Sequence, residues 1–220
     1  MKKAKNKEIQ TIRMMVYFID ATSEIIEQEG MDKITIRKVA DLAGFNSATI
    51  YNYFEELSHL IFFASMRYVK KYINALPEYL ASTEDPLEQY LKMWECFSRF
   101  SFSDPQIYYS VFSSNLGCPA EKLLKDYYGM FPTDLVEVPK ELREMLLESN
   151  LTKRDLIALN PCIDKGYIKA EDASQISEIH FLIWQGMHTM FLNKRCEYTV
   201  EEATEITVSH IRTTMQKHNC

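Results

Sequence analysis

Apolar side chains recur at three- and four-residue intervals along nearly the whole chain, the period of a helix buried on one face. Between Ile9 and Ile26 the stripe is Ile12, Met15, Val16, Ile19, Ser23 and Ile26, while Asp20, Glu24 and Glu27 form a separate, solvated face. Gly30 ends that helix, since glycine enters the left-handed region without a Cβ clash. Thr35 is a good N-cap for a second, short helix through Ile36, Val39, Ala40 and Leu42, which stops at Gly44. Asn46 or Ser47 caps a third carrying Ala48, Ile50, Tyr51 and Phe54, and a long helix is predicted from Leu57 to Leu76, ended by Pro77. Beyond it, prolines mark helix starts: Asp85-Pro86 and Asp104-Pro105 read as cap-plus-first-residue pairs, and Pro119 and Pro139 open further helices. Thr152 with Asp155 makes a weak capping box, and helices over Glu171–Lys194 and Thr199–Lys217 close the chain. The pattern predicts an all-α protein with an N-terminal three-helix unit, residues 1–56, and a larger helical body, residues 57–220.

The stretch Thr35–Phe54, TIRKVADLAGFNSATIYNYF, has the form of a helix-turn-helix. Ala40 is small enough for the two helices to cross closely, and Gly44 supplies the positive φ of the turn. Val39, Leu42, Phe45 and Ile50 are expected to form the small core that fixes the crossing angle. The second helix is then free to lie in a DNA major groove.

These residues resemble the TetR family of bacterial repressors. The match runs through Glu29-Gly30, Thr35, Val39-Ala40, Ala43-Gly44-Phe45 and Ile50-Tyr51-Asn52-Tyr53-Phe54, with a weaker echo in Asp164-Lys165-Gly166-Tyr167-Ile168, Asp172 and Gly186. The resemblance implies a DNA-facing set of Thr35, Arg37, Lys38, Asn46, Ser47, Ala48, Thr49, Tyr51, Asn52 and Tyr53. In that set Tyr51, Tyr53 and Thr35 contact phosphates, while Arg37 aligns with a base-reaching position, where Arg is the best reader of guanine. Asn52 suits adenine, Ala48 or the Thr49 methyl suits a thymine methyl, and Lys2, Lys3, Lys5 and Lys7 add attraction to phosphates. The chain departs from the family at Leu57, where Lys is usual, and at Phe45, where a smaller aliphatic residue is usual.

The family's last two helices pair with those of a second subunit. Here Ile176, Ile179, Ile183, Met187 and Met190 form one stripe and Phe181, Leu182, Trp184 and Phe191 another, so the penultimate helix is apolar nearly all round and must be buried on two sides. Val200, Thr204, Val208, Ile211 and Met215 line the last helix. The dimer face is therefore expected to include Ile176, Ile179, Ile183, Met187, Met190, Val208, Ile211 and Met215, although the same stripes also make core within one chain. The middle helices carry Tyr90, Trp94, Phe97, Tyr108, Tyr109, Phe112, Tyr127, Tyr128 and Phe131. Of these, Tyr90, Trp94, Phe97, Tyr108, Phe112, Tyr127 and Phe131, with Trp184, are candidates for an effector pocket or, equally by spacing, for plain core.

Composition changes this picture at a few points. Six glycines among 220 residues argue against a turn-rich β fold and against Gly-lined nucleotide sites. Apolar runs such as Met14–Ile19 and Phe181–Trp184 are far short of a membrane span, and no secretory signal is read at the start. Five well-separated cysteines, Cys96, Cys118, Cys162, Cys196 and Cys220, with no C-x-x-C, read as free thiols, so a cytoplasmic protein is expected. Glu56-x-x-His59 has no second copy, and His180, His188, His210 and His218 lack zinc-site spacing, so no metal, cofactor or catalytic role is expected. The net charge of −6 argues at first against nucleic acid. It is unevenly placed: residues 1–54 carry eight basic and seven acidic side chains, leaving the excess of acid in the body.

Together these features predict a homodimeric, ligand-responsive regulator that represses by binding a palindromic operator and is released by a small hydrophobic or aromatic effector. Two alternatives remain open on sequence: a ligand-binding protein of the same fold that has lost DNA binding, suggested by Leu57, and a helical enzyme whose helix-turn-helix is only structural.

Overall fold

The computed structural model describes residues 2–135 and 140–217, except for the side chains of residues 2–5, 8, 140, 141 and 217. Pro139, His218, Cys220 and the side chains of Lys2, Lys3 and Lys5 therefore lie outside the described residues. Within them there are eleven α-helices and no strand. None of these helices is long and apolar enough to cross a membrane.

The head is built from α1 (Lys2–Glu29), α2 (Ile36–Ala43) and α3 (Ser47–Ile50), with a single 3₁₀ turn at Met31–Lys33. Gly30 ends α1 at φ 91°, its N–H reaching the carbonyls of Ile25 and Ile26. Phe18, Ile19, Ala21, Thr22 and Ile25 are the buried residues of α1. The inward face is thus turned from the stripe read in the sequence, and Ile12, Met15, Val16, Ser23 and Ile26 are half-buried flanks. The acids of α1 are not simply solvated, for Asp20 pairs with Arg67 and Glu27 accepts from the Tyr68 hydroxyl.

The long α4 (Leu57–Ala81) leaves the head and enters the body, packing on α1, α5 (Pro86–Ser103), α6 (Pro105–Phe112) and α7 (Ala120–Met130). It does not stop at Pro77. A proline there removes the hydrogen bond to the Ile73 carbonyl and crowds that carbonyl, but Leu76, Tyr79 and Leu80 keep the last turns packed against the core. The remaining helices are α8 (Lys140–Leu147), α9 (Leu151–Asp164), α10 (Ala173–Leu192) and α11 (Val200–Lys217). Asp85 caps α5 by accepting from the Glu88 N–H, as its spacing predicts. Asp104 makes no such bond; it is at once the C-cap of α5 and the N-cap of α6.

Asn150, not Thr152, caps α9, accepting from the Lys153 N–H. Asp155 is consequently one full turn inside the helix and buried. A capping box does form at the start of α11. There the Thr199 hydroxyl accepts from the Glu202 N–H while the Glu202 carboxylate accepts from the Thr199 N–H. α5 is the centre of the body, in contact with α4, α9 and α11.

Candidate nucleic-acid interface and effector chamber

The turn between α2 and α3 is held by bonds that span only a few residues. The Thr35 hydroxyl accepts from the Lys38 N–H at 3.2 Å, Gly44 sits at φ 78°, and the Phe45 N–H closes onto the Ala40 carbonyl at 2.9 Å. Asn46 caps α3, its side-chain oxygen accepting from both the Thr49 N–H and the Thr49 hydroxyl at 3.0 Å. Val39, Ala40 and Ile50 are fully buried beneath, and Phe45 packs edge-on against Phe18. Leu42, expected in this small core, instead faces solvent at 46% exposure, since α1 covers the other side of α2.

This scaffold sorts the ten DNA-facing candidates. Arg37 is 89% exposed and only loosely held by Asp41 at 3.8 Å, so its guanidinium is available. Ala48, Tyr51 and Asn52 are also exposed and lie along α3 and the turn that follows. Thr35, Asn46 and Thr49 use their polar side-chain atoms for capping, which fixes the helix starts. Lys38 is tied to Glu29 at the end of α1. Ser47 and Tyr53 are half-buried, the Tyr53 ring lying 5.9 Å from that of Phe18. Leu57 packs half-buried against the core, which gives the departure at this position a packing role. A cleft of about 860 Å³, lined by α1, Tyr53–Glu55, His59 and α7, separates head from body.

In the body, Phe97 is the hub of the aromatic cluster. Its ring centroid lies 5.2–6.0 Å from those of Trp184, Tyr72, Phe112, Tyr108 and Trp94. Six of the eight pocket candidates belong to this region: Tyr90, Trp94, Phe97, Tyr108, Phe112 and Trp184. Tyr127 and Phe131 instead join Phe63 and Arg67 beside the head–body cleft. The cluster is close-packed: the gap bounded by Trp94, Phe97, Arg154 and Asp155 is about 20 Å³, room for about one water. A wider apolar cleft of about 410 Å³ opens at the far end, between Pro77, Leu80, Met93, Met145 and Ile157, with Gln89 and Tyr90 on its wall.

Buried polar groups run through this core. The Asp155 carboxyl accepts from the Tyr90 hydroxyl at 2.8 Å and the Trp94 indole at 3.0 Å. Burial pushes its pKa up to about 7, although the hydrogen bonds pull the other way. His180 joins the group at 2.6 Å from the Tyr90 oxygen and reaches Thr214 on α11 through its other nitrogen. Arg154, 7% exposed, lies over the faces of Tyr72 and Phe112. His188 stacks on Trp184, and its Nε2 donates to the Pro105 carbonyl at 3.0 Å, since a carbonyl oxygen only accepts. Burial holds its pKa down at about 4.

Residues 18–57 match the family described as bacterial regulatory proteins, tetR family. Over those residues the head is similar to the TetR family. No curated protein matches the chain by sequence. Three solved structures share the fold over nearly their full lengths. RolR in complex with resorcinol is 16% identical (TM-score 0.61, 96% of this chain and 95% of that one). Thermus thermophilus FadR, a TetR-family repressor in complex with lauroyl-CoA, is 12% identical (TM-score 0.60, 90% and 93%). A putative TetR-family regulator from Syntrophomonas wolfei is 17% identical (TM-score 0.59, 92% and 95%). The chain therefore has the same overall fold as these three proteins.

The residues expected on a TetR-type dimer face divide sharply. Ile176, Ile211 and Met215 are buried within their own chain, so they are core and have no surface left to offer a partner. Ile179, Ile183, Met187 and Val208 are half-buried, and Met190 is exposed. Leu182, which the sequence puts on the second stripe, is the most exposed large apolar residue of α10 at 65%. Sequence reading missed Arg154 and Asp155, since adjacent opposite charges look like a solvated surface. The signal that finds Asp155 is its place on the stripe Leu151, Asp155, Leu159 and Cys162, otherwise apolar at helical spacing.

Proposed function

We propose that this protein is a homodimeric, effector-responsive transcriptional repressor of the TetR type. Its head, residues 1–56, reads a palindromic operator, and its body, residues 57–220, binds the effector and the second subunit. The observation that carries this reading is the helix-turn-helix surface. Arg37, Ala48, Tyr51 and Asn52 are left exposed by a scaffold whose caps already occupy Thr35, Asn46 and Thr49. Arg37 and Asn52 are the base-reading side chains, Ala48 meets a thymine methyl, and Tyr51 donates to a phosphate. The apolar strip of α10 formed by exposed Leu182 and Met190 and half-buried Ile179 and Ile183 supports a face that a second copy covers.

The effector is a small hydrophobic or aromatic molecule that acts where α4, α5 and α9 meet. Support comes from the aromatic hub at Phe97, from the buried polar chain through Tyr90, Asp155 and His180, and from the resorcinol bound by RolR, which has the same fold. α4 links that region to the head, so separating α4 from α5 alters the distance between the two reading heads. A shift of a few ångströms away from one groove repeat, about 34 Å, weakens operator binding.

The test is selection of bound duplexes from a random pool at two salt concentrations. Recovery of a palindrome, with affinity that falls steeply with salt, is the expected result. Featureless weak binding at both concentrations overturns the reading and favours a protein that has lost DNA recognition.

A further inference from the structure

Among the described residues Arg154 has no counter-charge. A guanidinium stays protonated at any physiological pH, and Arg154 is buried on α9 with no carboxylate paired to it among the described residues. Its contacts are the faces of Tyr72 and Phe112, at 5.6 and 5.7 Å, and a long 3.4 Å hydrogen bond to the Tyr72 hydroxyl. Such contacts leave most of its five N–H donors unused. Burying a cation in this way is costly unless an anion completes the site. The neighbouring Asp155 does not serve, because its carboxyl is turned to Tyr90 and Trp94.

A second group points the same way. The Tyr108 hydroxyl, on α6, is buried with no hydrogen-bond partner, and the Tyr108 ring stacks on Phe112, the ring over which Arg154 lies. A cation and a neutral donor, both desolvated and both unfilled, are the complement of a carboxylate, which accepts from a guanidinium fork and a hydroxyl together. The surroundings define the rest of the molecule. Phe97 and Phe112 both pack against Tyr108, and Trp94 joins the same ring cluster, so the walls suit a flat apolar body.

We propose that Arg154 and Tyr108 form the anion-recognition end of the effector chamber, and that the effector is an aromatic carboxylate. The inference rests on the body being the effector domain and names the chemistry it selects. The gaps that Arg154 lines in the closed chamber, about 20 Å³ on one side and about 10 Å³ on the other, are too small for a benzene ring. The ligand therefore enters by parting α9 from α4 and α5, and the unpaired charge makes the closed chamber ready to open. Binding and helix displacement are one event.

Benzoate is the probe, compared with benzyl alcohol, which keeps the ring without the charge, and acetate, which keeps the charge without the ring. Calorimetry on the full chain is expected to show benzoate binding at least about tenfold more tightly than either. Arg154→Met keeps the length and apolar stem while removing the charge. It is expected to lose at least about tenfold in benzoate affinity while its urea midpoint equals or exceeds that of the wild type, since a buried unpaired charge is gone. Tyr108→Phe, which removes only the hydroxyl, is expected to weaken benzoate about threefold or more at unchanged stability.

The proposal is overturned if benzoate fails to bind the wild type at millimolar concentration, or if benzyl alcohol matches it. It is also overturned if Arg154→Met binds benzoate normally, or if that variant loses stability, which would make the arginine a structural tie. These readouts need no DNA. Benzoate binding through Arg154 in a protein that selects no operator would leave the site standing and remove the regulator reading, and the reverse result would do the opposite.

Discussion

The head and the body solve opposite problems with the same secondary structure. In the head, each bond that shapes the reading surface closes within five residues: Thr35 to Lys38, Ala40 to Phe45, Asn46 to Thr49. Its proposed working side chains, Arg37, Ala48, Tyr51 and Asn52, stay in solvent. In the body the polar bonds join helices far apart in sequence, as Tyr90 and Trp94 do with Asp155, His180 with Thr214, and Trp184 with Ser101. Its proposed working groups are buried. On the proposed function, the difference teaches that DNA specificity would change at little cost to the fold, whereas effector response would be built into the core and move with stability.

The comparison is tested most severely at Phe97. Phe97→Ala removes the hub of the ring cluster and is expected to destabilise the chain by about 3–5 kcal/mol. Arg37→Ala, at the exposed head surface, is expected to stay within about 0.5 kcal/mol of the wild type. Urea denaturation followed by circular dichroism measures both, and equal losses would erase the distinction.

The next effect lies in pH. Asp155 has its folded pKa raised to about 7, so between about pH 4 and 7 the folded chain keeps a proton that the unfolded chain has lost. Stability from this group is full at low pH and falls as pH rises through that window. His188 has its folded pKa lowered to about 4, so the unfolded chain is the one that binds a proton between about pH 4 and 6.5, and stability rises with pH there. The two slopes oppose each other in the wild type. Asp155→Asn leaves only the second, and its stability is expected to rise from pH 4.5 to 6.5 more steeply than that of the wild type, by on the order of 1–3 kcal/mol. Parallel profiles would show that Asp155 is ionised in the core at all these pH values.

Smaller effects belong to the head. Arg37→Ala is expected to relax discrimination at one base pair of each half-site by about 1–3 kcal/mol, read from competition among operator variants. Tyr51→Phe removes one hydroxyl and is expected to weaken all duplexes alike by about 1 kcal/mol. If Tyr51→Phe altered sequence preference instead, the tyrosine would be a base reader and the division between anchoring and reading would have to be redrawn.

The same contrast explains what the sequence reveals. Caps, the Gly44 turn and the buried pair Val39 and Ile50 are local, and their spacing alone finds them. Leu42 misleads because its period fits the stripe while only tertiary packing decides which flank of α2 is covered. Pro77 misleads because proline reports a missing hydrogen bond and not the packing of the residues beyond it. In the body, spacing finds aromatic residues but not which of them meet, so Tyr127 and Phe131 part from the Phe97 cluster. Arg154 and Asp155 are least legible of all, since their partners come from α4, α5 and α6, none of them next to α9 in the chain.

The central claim is that two heads, held at a fixed separation by the paired bodies, read the two halves of one operator. The most direct test is equilibrium binding to the selected palindrome and to the same palindrome with about five base pairs, half a helical turn, inserted between its halves. The account predicts a loss of at least about tenfold, because the second head then faces the wrong side of the duplex. Equal affinity for the two duplexes would contradict it, since each head would then be reading alone.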